Sequence, residues 1–203
     1  DLLLREVHHR VKNNLQVVAS VLDLQAGTLR DASARQALHE SKDRVQSMAR
    51  IHEYLYKSAD VSRVAMDDYL RHLATALRQA YNTQHIGLSV QVGVGLFDVE
   101  RAIPCALIVN ELVSNAFKHA FPAGRAGEVV VTLEGRDDQH VLTVRDTGVG
   151  LPPHTDPRST DSLGLRLVGL LAKQLGGMLH LASEGGTTAR IAFPAHAHDR
   201  DAA

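Results

Sequence analysis

A single cysteine, Cys105, stands among 203 residues. That excludes an internal disulfide framework and fits a reducing compartment. No charge of one sign dominates. Lys and Arg number 22 against 23 Asp and Glu, for a net charge of −1. A general nucleic-acid binder would carry a basic excess, so no nucleic-acid partner is expected. No run is apolar and long enough to span a bilayer, and no signal peptide is visible. These absences predict a cytoplasmic location and no direct membrane contact for this stretch. What is present suffices for a core: 44% of the residues are apolar, and the length leaves room for one or two domains. The chain begins at Asp1, without a methionine and already inside a helical pattern, which predicts a preceding segment.

Apolar residues at Leu4, Val7, Val11, Leu15, Val18 and Leu22 step by three and four and mark an amphipathic helix over residues 2–26. "AGTLRDAS" (26–33) has the composition of a turn, with Ser33 as the expected N-cap. A second helix follows, with Leu38, Val45, Met48, Ile51 and Leu55 on one face. Two helices cannot cover both apolar stripes, so the hairpin is expected to pair with a second copy as a four-helix bundle. "KSADVSRVAM" (57–66) reads as a linker. Beyond it the pattern predicts a helix over 66–81, strand over 86–99, and a helix over 103–120. Strand hairpins are expected over 128–146, turning at "RDDQ", and over 178–194, turning at Gly185-Gly186. Between these hairpins lie a loop over 151–162 and a helix over 163–175. The expected fold is α+β: a helical hairpin over 1–60, an α/β sandwich over 61–195, and a mobile polar tail over 196–203.

Three stretches carry chemistry. In "NELVSNAFKHAF" (110–121), Glu111, Asn115 and Lys118 or His119 recur at helical spacing and share one face. An amide oxygen can ligate Mg²⁺ and an ammonium can pair with phosphate. In "DTGVGLP" (146–152), an aspartate closes a strand, and Gly148 and Gly150 let the backbone approach a flat ligand. A buried carboxylate there can accept a hydrogen bond from an exocyclic amine. In "DSLGLRLVGLLAKQLGG" (161–177), Gly164 sits where a loop enters a helix, and free N–H groups with the helix dipole favour phosphate there.

The order and spacing of these stretches resemble the ATP-binding domain shared by histidine kinases, type II topoisomerases, Hsp90-type chaperones and MutL-type repair proteins. "NELVSNAFKHAF" looks like the N-box, "DTGVG" like the G1-box, and "LGLRLV" with "GGTTARIAF" like the later glycine boxes. The opening "EVHHRVKNNLQVVASVLDLQ" resembles the phosphoacceptor helix of bacterial sensor histidine kinases that read HRxKN (HisKA_2-type), close relatives of the HWE kinases. The resemblance covers residues 2–194.

It implies an enzyme, a protein-histidine kinase that uses ATP and Mg²⁺, dimerises through its hairpin, and passes a phosphoryl group to the receiver domain of a response regulator. It assigns Asn115 to Mg²⁺, Glu111 to a base or water-positioning role, and Lys118 to the phosphates, with His119 beside them. Asp146 would accept from the adenine amine, with Gly148 and Gly150 adjacent. Leu163, Gly164 and Leu165 would lie in the phosphate-facing lid region, and Thr187 or Thr188 near the base. The departures are specific. HWE kinases start the N-box with histidine, where this chain has Asn110, and carry a Trp-x-Glu motif, whereas this chain has no tryptophan. The lid between Pro152 and Ser162 is short and has no separate phenylalanine. Commoner kinases follow the acceptor with an acid, and here that place is Arg10, which leaves Glu6 and Glu111 as candidate bases. Two other readings use the same residues: a protein-serine kinase of the anti-sigma-factor type, and a phosphotransfer scaffold without catalysis.

The helical pattern separates the paired histidines. Stepping back seven from Leu15 gives His8, which falls on the packed seam, while His9 is turned about 100° away. An acceptor must be reachable by another domain, so His9 is the expected phosphoacceptor. The resemblance also puts the acceptor directly before the arginine. Arg10 and Lys12 are suited to phosphate charge.

Overall fold

The computed structural model describes residues 2–55, 63–151 and 163–195, with side chains in the first stretch described from Arg10 to Glu53. The expected linker residues 57–62, the lid over 152–162 and the tail over 196–203 lie outside the described residues. So do the side chains of Leu4, Glu6, Val7, His8, His9 and Leu55. The chain divides into two compact units, residues 1–61 and 62–203.

The first unit is a hairpin of α1 (Leu2–Thr28) and α2 (Ala32–Leu55). Ala19, Ala26 and Ala49 are buried along its seam, where small side chains let the helices approach closely, and Ile51 is buried with them. Ion pairs link the two helices, Lys12 to Glu53 at 2.9 Å and Lys42 to Asp23 at 2.6 Å. The turn is tighter than the sequence suggests. Helix α1 continues through the expected turn residues Ala26–Thr28. The N-cap is Asp31 and not Ser33. The Asp31 side chain accepts from the Ser33 N–H at 3.1 Å, and its carbonyl accepts from the Arg35 N–H at 3.1 Å. That Ser33 N–H, with the Ser33 hydroxyl second, holds the Asp31 carboxyl below its ordinary range. An aspartate satisfies the orphan donor as well as a serine would, and it stands at the position where the helix begins.

The second unit opens with β1 (Arg63–Ala65), inside the stretch expected to be linker. Helix α3 (Met66–Tyr81) follows, burying Met66, Tyr69, Leu70, Ala74 and Leu77 on one stripe and ending where Asn82 turns left-handed at φ 48°. Then come β2 (Ile86–Gly93) and β3 (Leu96–Asp98), the latter antiparallel to β1. The expected single strand over 86–99 is thus two strands, and the next helix starts four residues earlier than expected. Helix α4 (Val99–Asn115) begins there because the Asp98 carboxylate accepts from the Arg101 N–H at 2.9 Å and caps it. Its winding loosens into a π-helical turn over Ala116–Ala120. Strands β4 (Gly127–Arg136) and β5 (Gln139–Asp146) form a hairpin with Asp137 at φ 53°. Helix α5 (Leu163–Gln174) and the hairpin of β6 (Met178–Ala182) and β7 (Thr188–Pro194) complete the unit.

Five strands make one sheet in the order β2-β4-β5-β7-β6, with β2 and β4 parallel and the other neighbours antiparallel. The register aligns rows of apolar side chains. Val90, Val131, Val144 and Ala189 lie in one row, and Leu133, Leu142 and Ile191 in the next. All seven are buried. Successive residues of a strand alternate faces, so Leu142, Val144 and Asp146 share the buried face of β5. Helices α3, α4 and α5 supply the other layer, with Leu70, Ile108 and Val168 fully buried. At the opposite end of the sheet from Asp146, the Arg101 guanidinium donates to the Pro194 carbonyl and stacks over Phe97 and Phe193. Among the described residues, no helix is long and apolar enough to cross a membrane.

Candidate nucleotide site

Asp146 is the last residue of β5, opposite Val129 of β4, and only 6% exposed. Its Oδ1 accepts two backbone hydrogen bonds, from Gly148 N–H at 2.8 Å and from Thr187 N–H at 3.1 Å. The Thr187 carbonyl in return accepts from the Asp146 N–H at 2.9 Å. Among the described residues no hydrogen bond reaches Oδ2. The carboxylate is therefore oriented by two amides through one oxygen, which leaves the other to accept from a ligand amine.

The backbone around it is closely packed. A Cβ on Gly148 would overlap the carbonyl and Cβ of Ala120, and one on Gly186 would overlap the Asp146 carbonyl. Gly186 also sits at φ 128°, a conformation that side-chain-bearing residues rarely adopt. Gly150 lies beside Ser183, whose hydroxyl accepts from the Leu151 N–H at 2.9 Å. The Val149 N–H donates to the Ala120 carbonyl at 2.9 Å. That bond ties the glycine loop after β5 to the end of the π-helical turn after α4. Two of the three stretches singled out in the sequence are thereby brought together.

Glu111 and Asn115 stand one turn apart on α4. Glu111 is buried at 4% exposure and Asn115 is half-buried. Lys118 and His119 are exposed. Both follow Asn115 within a π-helical turn that starts at Ala116, so their spacing from Glu111 is not purely α-helical. An i→i+5 turn carries them round less per residue than an α-helix does. Among the described residues no group of three or more His, Cys, Asp or Glu side chains is placed to hold a metal ion. A single asparagine amide oxygen is compatible in donor type with Mg²⁺, which keeps waters and phosphate oxygens and takes few protein ligands.

In α5, Gly164 is buried in the first turn, Leu163 is exposed and Leu165 half-buried. Thr187 touches the Asp146 carboxylate through its backbone, while Thr188 begins β7 and pairs with Arg145. Lys12 is engaged by Glu53, and Arg10 is exposed. Gly186, expected at the hairpin turn and within the "GGTTARIAF" box, abuts the Asp146 carbonyl, and Ser183, not singled out from the sequence, lies beside Gly150. Tyr81 carries no local signal at all.

The layered fold, with a glycine-bordered aspartate at a strand end, defines an ATP-binding domain of the histidine kinase, gyrase and Hsp90 type. Residues 100–197 match the family model for histidine kinase-, DNA gyrase B- and HSP90-like ATPases. Residues 6–81 match the model for the HisKA_2 histidine kinases. The chain belongs to the HisKA_2-type histidine kinases and comprises a helical hairpin followed by the ATP-binding domain. It is 37% identical over 199 residues to the sensor histidine kinase PdtaS of Mycobacterium tuberculosis, covering 96% of this chain and 40% of that protein. It is 28% identical to blue-light-activated histidine kinase 2 of Erythrobacter litoralis, covering 96% of this chain and 57% of that protein. The solved histidine kinase domain of the Erythrobacter litoralis EL346 blue-light activated histidine kinase superposes with a TM-score of 0.67 at 28% identity, covering 93% of this chain and 89% of that one. The chain thus spans about two fifths of the length of PdtaS.

Proposed function

We propose that this chain is the catalytic core of a two-component sensor kinase that phosphorylates itself on His9 and passes the group to a response-regulator aspartate. The observation that carries the reading is Asp146, buried at a strand end and oriented by the Gly148 and Thr187 amides. Adenine carries an exocyclic amine that complements the open oxygen, and the glycine-lined backbone admits a flat ring. The imidazole nitrogen of His9 takes the γ-phosphoryl group as the bond to the β-phosphate oxygen breaks and ADP leaves. Glu111 holds the imidazole proton or positions it, Lys118 pairs with the phosphates, and Asn115 offers its amide oxygen to Mg²⁺. When bound, Mg²⁺ neutralises charge on the phosphates. Gly164, with Leu163 and Leu165, faces the phosphates from the start of α5. Positioning and charge neutralisation of this kind are the main catalytic work of phosphoryl transfer.

The hairpin is proposed to dimerise. Helix α1 leaves Val18 and Val21 about half exposed, and Val17 and Leu24 at 63% and 73%. A second copy would cover such a face as a four-helix bundle does. The partner in phosphotransfer is a receiver domain, and the proposed location is cytoplasmic. No observation favours the protein-serine kinase or the scaffold.

The test is incubation with γ-radiolabelled ATP of wild type, His8→Ala and His9→Ala. Wild type and His8→Ala should label, His9→Ala should not, and acid should remove the label. Labelling that persists in His9→Ala and vanishes in His8→Ala refutes the assignment. An acid-stable label points to the serine kinase.

A further inference from the structure

Lys118 is an exposed lysine on a loosened turn, with four rotatable bonds and no ion pair to an acid among the described residues. A cation meant to meet phosphate from such a place needs something to limit where it points. One neighbour does this. The Lys118 Nζ lies over the ring of Tyr81, 5.9 Å from its centroid. Tyr81 is the last residue of α3, 37 positions earlier in the chain (118 minus 81), and Asn82 ends the helix directly after it. The Tyr81 ring is itself fixed. It is half-buried and packs against buried Phe117 at 5.6 Å between centroids, tilted by 54°. Phe117 and Lys118 are adjacent residues of the same π-helical turn, so one aromatic ring meets both the buried and the exposed side of that turn.

We propose that Tyr81 is a positioning residue for the nucleotide phosphates, holding the Lys118 ammonium through its ring face. This rests on the reading that the unit binds ATP with Lys118 on the phosphates. The ring face attracts a cation without neutralising it, so the full charge stays available to an anion, as it would not in an ion pair with a carboxylate. A hydroxyl is unnecessary for this, whereas the ring is essential. An exposed cation–π contact corresponds to about a two- to fivefold change in an equilibrium constant.

The experiment uses the full chain carrying Tyr81→Leu or Tyr81→Phe, each alone and combined with Lys118→Met. Affinity is measured for ATP with Mg²⁺ by calorimetry and for adenosine by ligand-observed NMR. Tyr81→Leu should weaken ATP about two- to fivefold and leave adenosine unchanged. Tyr81→Phe should restore wild-type ATP affinity. In the Lys118→Met background, Tyr81→Leu should have no further effect. Equal weakening of ATP and adenosine would make Tyr81 a packing residue only and overturn the proposal. So would a Tyr81→Leu effect that survives Lys118→Met, or no effect where Lys118→Met alone weakens ATP. If Lys118→Met leaves ATP affinity unchanged, the phosphate role of Lys118 fails and the proposal with it. If wild type binds neither ligand, the nucleotide reading itself fails, an outcome distinct from the others.

Discussion

Replacing Asp146 with asparagine tests the site by one atom. The side chain keeps its shape, and a carboxylate oxygen becomes an NH₂ group. Asp146 Oδ1 accepts from the Gly148 and Thr187 amides, and Oδ2 is the oxygen proposed to accept from the adenine amine. An asparagine can turn its oxygen toward the two amides, and its NH₂ then faces the adenine amine, donor against donor. It can turn its oxygen toward adenine, and its NH₂ then faces two backbone N–H groups. Neither rotamer satisfies both sides. A hydrogen bond to a charged acceptor contributes about 1.5–3 kcal/mol, so Asp146→Asn should weaken ATP roughly 10- to 150-fold. The assay is calorimetric titration with a non-hydrolysable ATP analogue and Mg²⁺, with thermal unfolding as a control for folding. A folded Asp146→Asn protein with unchanged affinity would remove the adenine role from Asp146, and with it the main support for the proposed function.

Gly186→Ala should destabilise the second unit by about 1–3 kcal/mol, because the new Cβ overlaps the Asp146 carbonyl and the φ of 128° is strained for alanine. Denaturant titration reads this, and unchanged stability would show that the loop relaxes freely. Val18→Asp should weaken dimerisation by roughly tenfold or more, since a carboxylate would be buried in the hairpin interface. Sedimentation at several concentrations checks it, and a wild-type chain that stays monomeric while folded would refute the dimer. Cys105 is fully buried, and its thiol is pushed up to about 12 by burial. A thiol reagent at mildly alkaline pH should therefore modify it only as the unit unfolds, and rapid labelling of the native chain would contradict the burial.

Periodicity carried the helices and hairpins whose stabilising contacts are local. Helix α3 was legible over its full length because its apolar residues recur at Met66, Leu70, Ala74 and Leu77. The β4–β5 hairpin was legible for the same reason, with alternation on both sides of a two-residue turn. The errors fell where one polar side chain decides a boundary. Asp31 and Asp98 each cap a helix, and neither differs in sequence from an ordinary surface aspartate. Strand β1 was hidden because three residues are too few for alternation, and its partner β3 lies some thirty positions on. In the site, Glu111, Asn115 and Asp146 stood out as unusual residue types in ordered stretches. Ser183 and Tyr81 did not, because their contacts come from neighbours far along the chain.

The π-helical turn after α4 ends where these distant pieces meet. Ala120 is the last residue of that turn, so its carbonyl has no intrahelical partner. It accepts the Val149 N–H at 2.9 Å. Gly148 is then held so close to Ala120 that no side chain would fit. The proposed metal and phosphate half of the site is on α4 and its turn, and the proposed adenine half is at the end of β5. One backbone hydrogen bond and one glycine contact join them, and neither involves a side chain of the nucleotide-facing set. Single π-type turns occur often at functional sites. Here its last carbonyl ties the helix that carries Asn115 to the loop that follows Asp146, so the two proposed halves of the site are joined through backbone.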